Sequence, residues 1–345
     1  MKPLFADWNW QPPADWLCIS TIDMHTGGEP LRVITSWLPP IEGNTVLEKR
    51  RYFREHYDHL RTGLMWEPRG HADMYGAVMT PSQDADFDVF FMHNEGYSTM
   101  CGHAILALTK LALETGLVEG RGDLPRLSMN VPAGRIAARA RMEAGRVVEA
   151  SFQNVPSFVL LHERTVVVPE IGKVQFDVAY GGAFYALVEV APLGLNLNPQ
   201  DHDRLIDYGR RIKNAVAAQF GIQHPVEPDL SFLYGTIFIG PARDAANHSR
   251  NVCVFAEGEV DRSATGSGVS ARAALHHAKG ELGIDEKITI ESILGSTMSV
   301  KVIRTTKFGD FDAVIPEVCG TASFTGRHQF FFDPDDTFAK GFIFR

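Results

Sequence analysis

The sequence lacks several features, and each absence narrows what the chain can be. Cysteine occurs only four times in 345 residues, at Cys18, Cys101, Cys253 and Cys319, with no Cys-x-x-Cys pair among them. Neither structural zinc nor a disulfide framework is therefore expected. No run approaches the ~20 uninterrupted apolar residues of a membrane-spanning helix. The best stretch, Ala104 to Val118, is broken by Lys110 and Glu114. Met1 to Pro13 has no apolar core of the secretory type, so the cytoplasm is the expected location. Basic residues are outnumbered, 33 Lys and Arg against 42 Asp and Glu, leaving a net charge of −9. An acidic surface argues against nucleic acid or an anionic membrane as partner. A homodimer is the macromolecular association left open.

Hydrophobic residues make up 45% of the chain, enough for one or two cores. The length fits two domains of about 100–200 residues each. Strand-like and helix-like patterns alternate, which predicts an α/β chain. The strand-like runs are Cys18–Asp23, Asp88–His93 and Val166–Tyr180, the last broken at Gly172. Helical patterns cover Thr45–Arg61, Gly102–Gly116, Gln200–Phe220 and Gly266–Gly280. There is also an internal echo. Asp23-Met-His-Thr-Gly-Gly28 resembles Asp177-Val-Ala-Tyr-Gly-Gly182, and each leads, 73 and 83 residues later, to Cys101-Gly102 and Thr265-Gly266 at a helix start. Two related halves predict a pseudo-twofold molecule with its site in the cleft between lobes.

Tyr97-Ser-Thr-Met-Cys101-Gly-His103 runs into a helix that is apolar on nearly every face and so is expected at the centre of the fold. Cys101 at its start would feel the positive end of the helix, which lowers a thiol pKa. The Gly102 and His103 amides there can hold a carboxylate. A base beside an anion cradle suits abstraction of a proton α to a carboxylate; the alternative is an inert cysteine at a helix start. The second loop, Asp261-Arg-Ser-Ala-Thr265-Gly266-Ser267-Gly268, has no Lys after its glycines and no G-x-G-x-x-G spacing, so it is no nucleotide loop. It reads either as a helix start capped by Ser263 or Thr265, or as a second cradle from Gly266 and Ser267 with Asp261 placed for an ammonium.

These segments resemble the proline racemase superfamily, whose fold is like that of diaminopimelate epimerase. The matches include Asp23-Met-His-Thr-Gly-Gly-Glu-Pro-Leu-Arg32, Glu67-Pro-Arg-Gly-His71, Met100-Cys-Gly-His103, Gly181-Gly-Ala-Phe-Tyr185, Asp261-Arg-Ser-Ala-Thr-Gly266 and Phe324-Thr-Gly-Arg-His-Gln329. The resemblance implies two pseudo-symmetric α/β lobes around a small cyclic amino acid, with no metal and no other cofactor. The lobes would span 16–160, joined by 326–345, and 161–325, after a tail of 1–15. Racemases of that family set one cysteine on each face of the ring. Here the first is matched by Cys101 and the second by Thr265. A threonine hydroxyl cannot exchange protons as a thiol does, and one base suits elimination. The Cys/Thr pair resembles the trans-3-hydroxy-L-proline dehydratases of the family. By position, Gly102, His103, Gly266 and Ser267 would hold the carboxylate and nearby groups, and Asp261 the ring nitrogen. In the trans-3-hydroxy isomer the hydroxyl shares a face with the α-hydrogen, so one thiol on that face could take the proton and return it to the departing hydroxyl. The rival readings are a proline racemase or 4-hydroxyproline 2-epimerase, and a non-catalytic imino-acid binder.

Other residues are read as follows. His103 acts through its backbone amide in preference to its ring. His25 and Glu29, in the first Gly-Gly motif, fix the loop or touch substrate, the structural role being preferred. His56 and His59 lie on a solvated helix face, and the adjacent His276 and His277 point apart. Cys253 and Cys319 are structural. Phe184 and Tyr185 serve either as pocket wall or as aromatic core.

Overall fold

The structure, a computed structural model, describes residues 9–36 and 39–344. The first eight residues of the expected tail lie outside these. From Leu17 to Gln153 the chain forms β1 (Leu17–Thr26), β2 (Glu29–Ile34), α1 (Val46–Met65), β3 (Tyr75–Thr80), β4 (Phe87–His93), β5 (Gly96–Ser98), α2 (Gly102–Glu114), β6 (Arg126–Val131), β7 (Gly134–Glu143) and β8 (Arg146–Gln153). It continues through β9 (Ser157–Val168), β10 (Gly172–Tyr180), β11 (Phe184–Glu189), α3 (His202–Gln219), β12 (Leu233–Gly240), β13 (Ser249–Phe255), β14 (Glu259–Val260), α4 (Gly266–Ala278), β15 (Lys287–Glu291), β16 (Thr297–Phe308), β17 (Phe311–Gly320) and β18 (Ala322–Phe332). All seven segments expected from the periodicity are found, and Val166–Tyr180 does break before Gly172.

Pairing repeats strand for strand. One half runs β18-β1-β2-β3-β4-β6-β7-β8 and the other β9-β10-β11-β12-β13-β15-β16-β17. Both are parallel at the same two steps, β2–β3 with β4–β6 in one half and β11–β12 with β13–β15 in the other. The short hairpin strands β5 and β14 pair with β4 and β13. The halves join where β8 meets β17, and the last strand, β18, returns to pair with β1.

Local chemistry sets the helix ends. Thr45 caps α1 through a complete capping box with Glu48, which satisfies otherwise orphaned amides. On α3 only Leu205, Gly209, Ile212 and Val216 are buried, the single stripe of an amphipathic surface helix. In α2, by contrast, every residue from Gly102 to Leu113 except Lys110 is buried, and in α4 every residue from Gly266 to Leu275. These two central helices start against each other. A Cβ on Gly102 would lie 2.4 Å from the Gly266 Cα, and one on Gly266 would lie 2.6 Å from the Gly102 Cα. Glycine at both positions lets two positive helix ends share one point. Among the described residues, no helix is long and apolar enough to cross a membrane.

Candidate active site

The pocket at this meeting point is lined by Cys101, Gly102, His103, Asp261, Thr265, Gly266 and Ser267, all of the expected site residues, which come from loops some 160 positions apart. Cys101 occupies the cap position of α2 and Thr265 that of α4. Neither side chain caps its helix, so the expectation of a Ser263 or Thr265 hydroxyl cap is corrected. Instead Ser263 Oγ accepts the Thr265 amide at 3.1 Å, and Thr265 sits at φ +65°, a rare conformation for a β-branched residue. Backbone strain of this kind is held by surrounding bonds. Here the Ala264 carbonyl accepts from Asn251, and the Ser263 amide donates to Asp261. The Thr265 hydroxyl is buried and lies against the Cys253 thiol.

Burial pushes the Cys101 thiol well above its ordinary pKa. The Ala104 amide and the Tyr75 hydroxyl pull it down, while the charges of Asp261 and Glu29 push it up further. The expected lowering by the helix end is therefore outweighed: a site this dry penalises the thiolate more than one helix terminus stabilises it.

Three roles read from the sequence change in the structure. The His103 ring, and not only its amide, belongs to the site, with Nδ1 3.2 Å from Cys101 Sγ. Burial lowers its pKa, which favours neutral imidazole. Glu29 is not merely structural. One carboxylate oxygen accepts the Arg262 amide at 2.7 Å, and the other is buried with no partner. Desolvation first and the Asp261 charge second raise its pKa strongly. Cys253, read as structural, lines the same pocket. It sits on β13, and its carbonyl accepts the Asp261 amide at 3.0 Å.

Glu29, His103 and Asp261 bring a ligand atom each within 4.8 Å of one another. Two carboxyls and an imidazole converging in a buried place suit a cation, and the paired helix ends beside them suit an anion. A zwitterionic amino acid carries both.

The remaining lining residues are Met100 and four aromatics, Tyr75, Tyr185, Tyr234 and Phe255. Tyr185 bonds Ser267 through their hydroxyls at 2.7 Å, whereas Phe184 packs into the core against Tyr180 and Phe158. None of Tyr75, Tyr234 and Phe255 was singled out from the sequence. Two were legible through the repeat, since Tyr75-Gly76 on β3 and Tyr234-Gly235 on β12 are equivalent in the two halves. His25 fixes the first Gly-Gly turn by accepting the Gly28 amide, as expected. His56 and His59 are exposed. His276 turns to Glu281 and Arg272, and His277 to the Leu282 carbonyl, so they do point apart.

Residues 21–343 match the proline racemase family. A protein of Colwellia psychrerythraea called trans-3-hydroxy-L-proline dehydratase is 53% identical over 341 residues, covering 97% of this chain and 96% of that one. A human protein of the same name is 47% identical over 337 residues, covering 95% of each. The crystal structure of a hydroxyproline epimerase from Agrobacterium vitis, with bound trans-4-hydroxy-L-proline, superposes with a TM-score of 0.90 at 29% identity, covering 95% of this chain and 96% of that one. Matched along nearly its whole length, this chain belongs to the proline racemase family.

Proposed function

We propose that the protein dehydrates trans-3-hydroxy-L-proline to Δ1-pyrroline-2-carboxylate without a cofactor. The observation that carries this reading is the pairing of a thiol, Cys101, with a threonine hydroxyl, Thr265, at the caps of two abutting helices, the other pocket thiol, Cys253, lying on β13 and not at a helix end. The substrate carboxylate lies on the amides of Gly102, His103, Gly266 and Ser267, where developing negative charge is stabilised. The ring ammonium lies among Asp261, Glu29 and His103. Placing positive charge there offsets the two carboxyls that push the Cys101 pKa upward, so binding itself favours the thiolate. The thiolate takes the α-proton. The C3–O bond then breaks, its electron pair leaves with oxygen, and the Cys101 proton completes a water molecule. The enamine left behind tautomerises to the cyclic imine. Thr265 lines the opposite face and supplies no second base. Support comes from the naming of relatives that match over nearly the full length. The acidic composition and the absence of a long apolar helix among the described residues favour a cytoplasmic enzyme whose partner is this small molecule.

The test is incubation of the purified protein in D2O, without added cofactor, with trans-3-hydroxy-L-proline, L-proline or trans-4-hydroxy-L-proline, followed by NMR. The 3-hydroxy substrate should be consumed to the imine and the other two keep their configuration. Cys101→Ser should lower turnover by about 10³-fold. Inversion of proline or 4-hydroxyproline would make the protein an isomerase, and near-native turnover by Cys101→Ser would remove the thiol from the mechanism.

A further inference from the structure

The thiol accounts for the proton; the oxygen that departs also needs a partner in a site this dry. Tyr75, at the start of β3, is buried and lines the pocket. Its ring stacks on His93 at 5.7 Å between centroids and meets His103 edge-on at 4.9 Å, so the phenol is held firmly in place. Its hydroxyl donates to Ser98 Oγ and lies 3.3 Å from the Tyr234 hydroxyl, in the pocket that Cys101 also lines.

A phenol carries one hydrogen and two acceptor positions. Ser98, which accepts from Tyr75 in the free site, and Tyr234 each bring a rotatable hydrogen, so when a substrate hydroxyl enters both can turn to donate into the Tyr75 oxygen. The Tyr75 hydrogen is then free to point into the pocket on the Cys101 side. Burial raises the Tyr75 pKa well above that of an ordinary phenol, which keeps that hydrogen in place. In trans-3-hydroxy-L-proline the 3-hydroxyl shares the face of the α-hydrogen, the face Cys101 attacks. The phenol beside the thiol therefore lies beside the leaving oxygen.

We infer that the Tyr75 hydroxyl, backed by Ser98 and Tyr234, donates the hydrogen bond that stabilises the 3-hydroxyl of the substrate as it leaves. The inference rests on the dehydratase reading. Cys101 still supplies the proton that turns the leaving group into water. Tyr75 keeps its own and stabilises charge on the oxygen while the C3–O bond breaks.

The experiment compares Tyr75→Phe with the unaltered enzyme on two substrates, trans-3-hydroxy-L-proline and trans-3-chloro-L-proline, whose chloride needs no hydrogen bond or proton to leave. Loss of one such donor lowers kcat on the hydroxy substrate by about 10²-fold. Turnover of the chloro substrate should fall only by what Tyr75 contributes to the thiol, so the hydroxy-to-chloro ratio drops by about tenfold or more. Equal loss on both substrates would mean that Tyr75 serves only the thiol, and unchanged hydroxy turnover would mean that it serves neither; either overturns the inference. Ser98→Ala leaves the phenol in place and shifts the ratio in the same direction, so the test stands even where Tyr75→Phe folds poorly. If the unaltered enzyme fails to dehydrate the hydroxy substrate, the dehydratase reading itself falls, whatever the variants do.

Discussion

At the scale of single residues, the site spends stability on chemistry. Glu29 is wholly buried, and its pKa is raised above the unfolded carboxyl value of 4.5. Below that value both folded and unfolded chains carry the proton, and pH has no leverage. Above it the unfolded chain ionises while the folded one holds its proton, so folding loses about 1.4 kcal/mol per pH unit until the folded group titrates. Glu29→Gln keeps the shape and the acceptor for the Arg262 amide but cannot ionise. It should therefore raise the melting temperature at pH 7, leave it unchanged at pH 4, and raise KM at least tenfold through loss of an ammonium partner. Thermal melts at the two pH values and steady-state kinetics check both halves of this expectation. A lower melting temperature at pH 7 would show that Glu29 is an ordinary structural acid. His103 and Cys253 carry the same lesson. The sequence placed His103 in the site through its amide and read Cys253 as structural, and only the fold brings the His103 ring and Cys253 to the pocket.

At the scale of elements, helices divide between support and function. α1 is closed by the Thr45 hydroxyl on the Glu48 amide at 3.2 Å, with the Glu48 carboxylate returning to the Thr45 amide. Thr45→Ala should cost about 1 kcal/mol of stability, read as a lower denaturation midpoint, with kcat/KM unchanged. The starts of α2 and α4 lack any such side-chain cap. Their free amides are the proposed anion site, where a cap would compete with substrate. A Ser-Ala-Thr-Gly sequence ahead of a helix suggested the usual capping solution. The positive φ of Thr265 carries its hydroxyl into the pocket instead, and neither composition nor spacing signals that angle.

At the scale of the molecule, two copies of one strand order are fused through β8 and β17, with β18 returned to the first copy. The site exists only where the two copies touch. Arg262 makes the join specific: its amide reaches Glu29 and its guanidinium reaches Asp73, both in the first half. Gly102→Ala would force a methyl within 2.4 Å of the Gly266 backbone, which cannot yield as a side chain could. We expect a loss of about 1–3 kcal/mol, typical of overpacking. Activity should fall about 10²-fold or more as the two cradles part, since a shift near 1 Å has that effect. Denaturation and kinetics on the same preparation check this, and near-native values for both would show that the halves meet more loosely than the glycines suggest.

The sequence by itself determined the alternation of strands and helices, the burial of α2 and the repeat that sets Cys101 opposite Thr265. These follow from local periodicity, apolar continuity and motif spacing, which a linear chain displays directly. Only the tertiary structure decided the rest. Whether Cys101 is helped or hindered in ionising depends on how much water the closed halves exclude. Whether Glu29, Cys253, Tyr75 and Tyr234 are wall or scaffold depends on which face of each strand meets the other half. Desolvation and convergence are properties of the space between distant segments, and no single stretch of chain carries them.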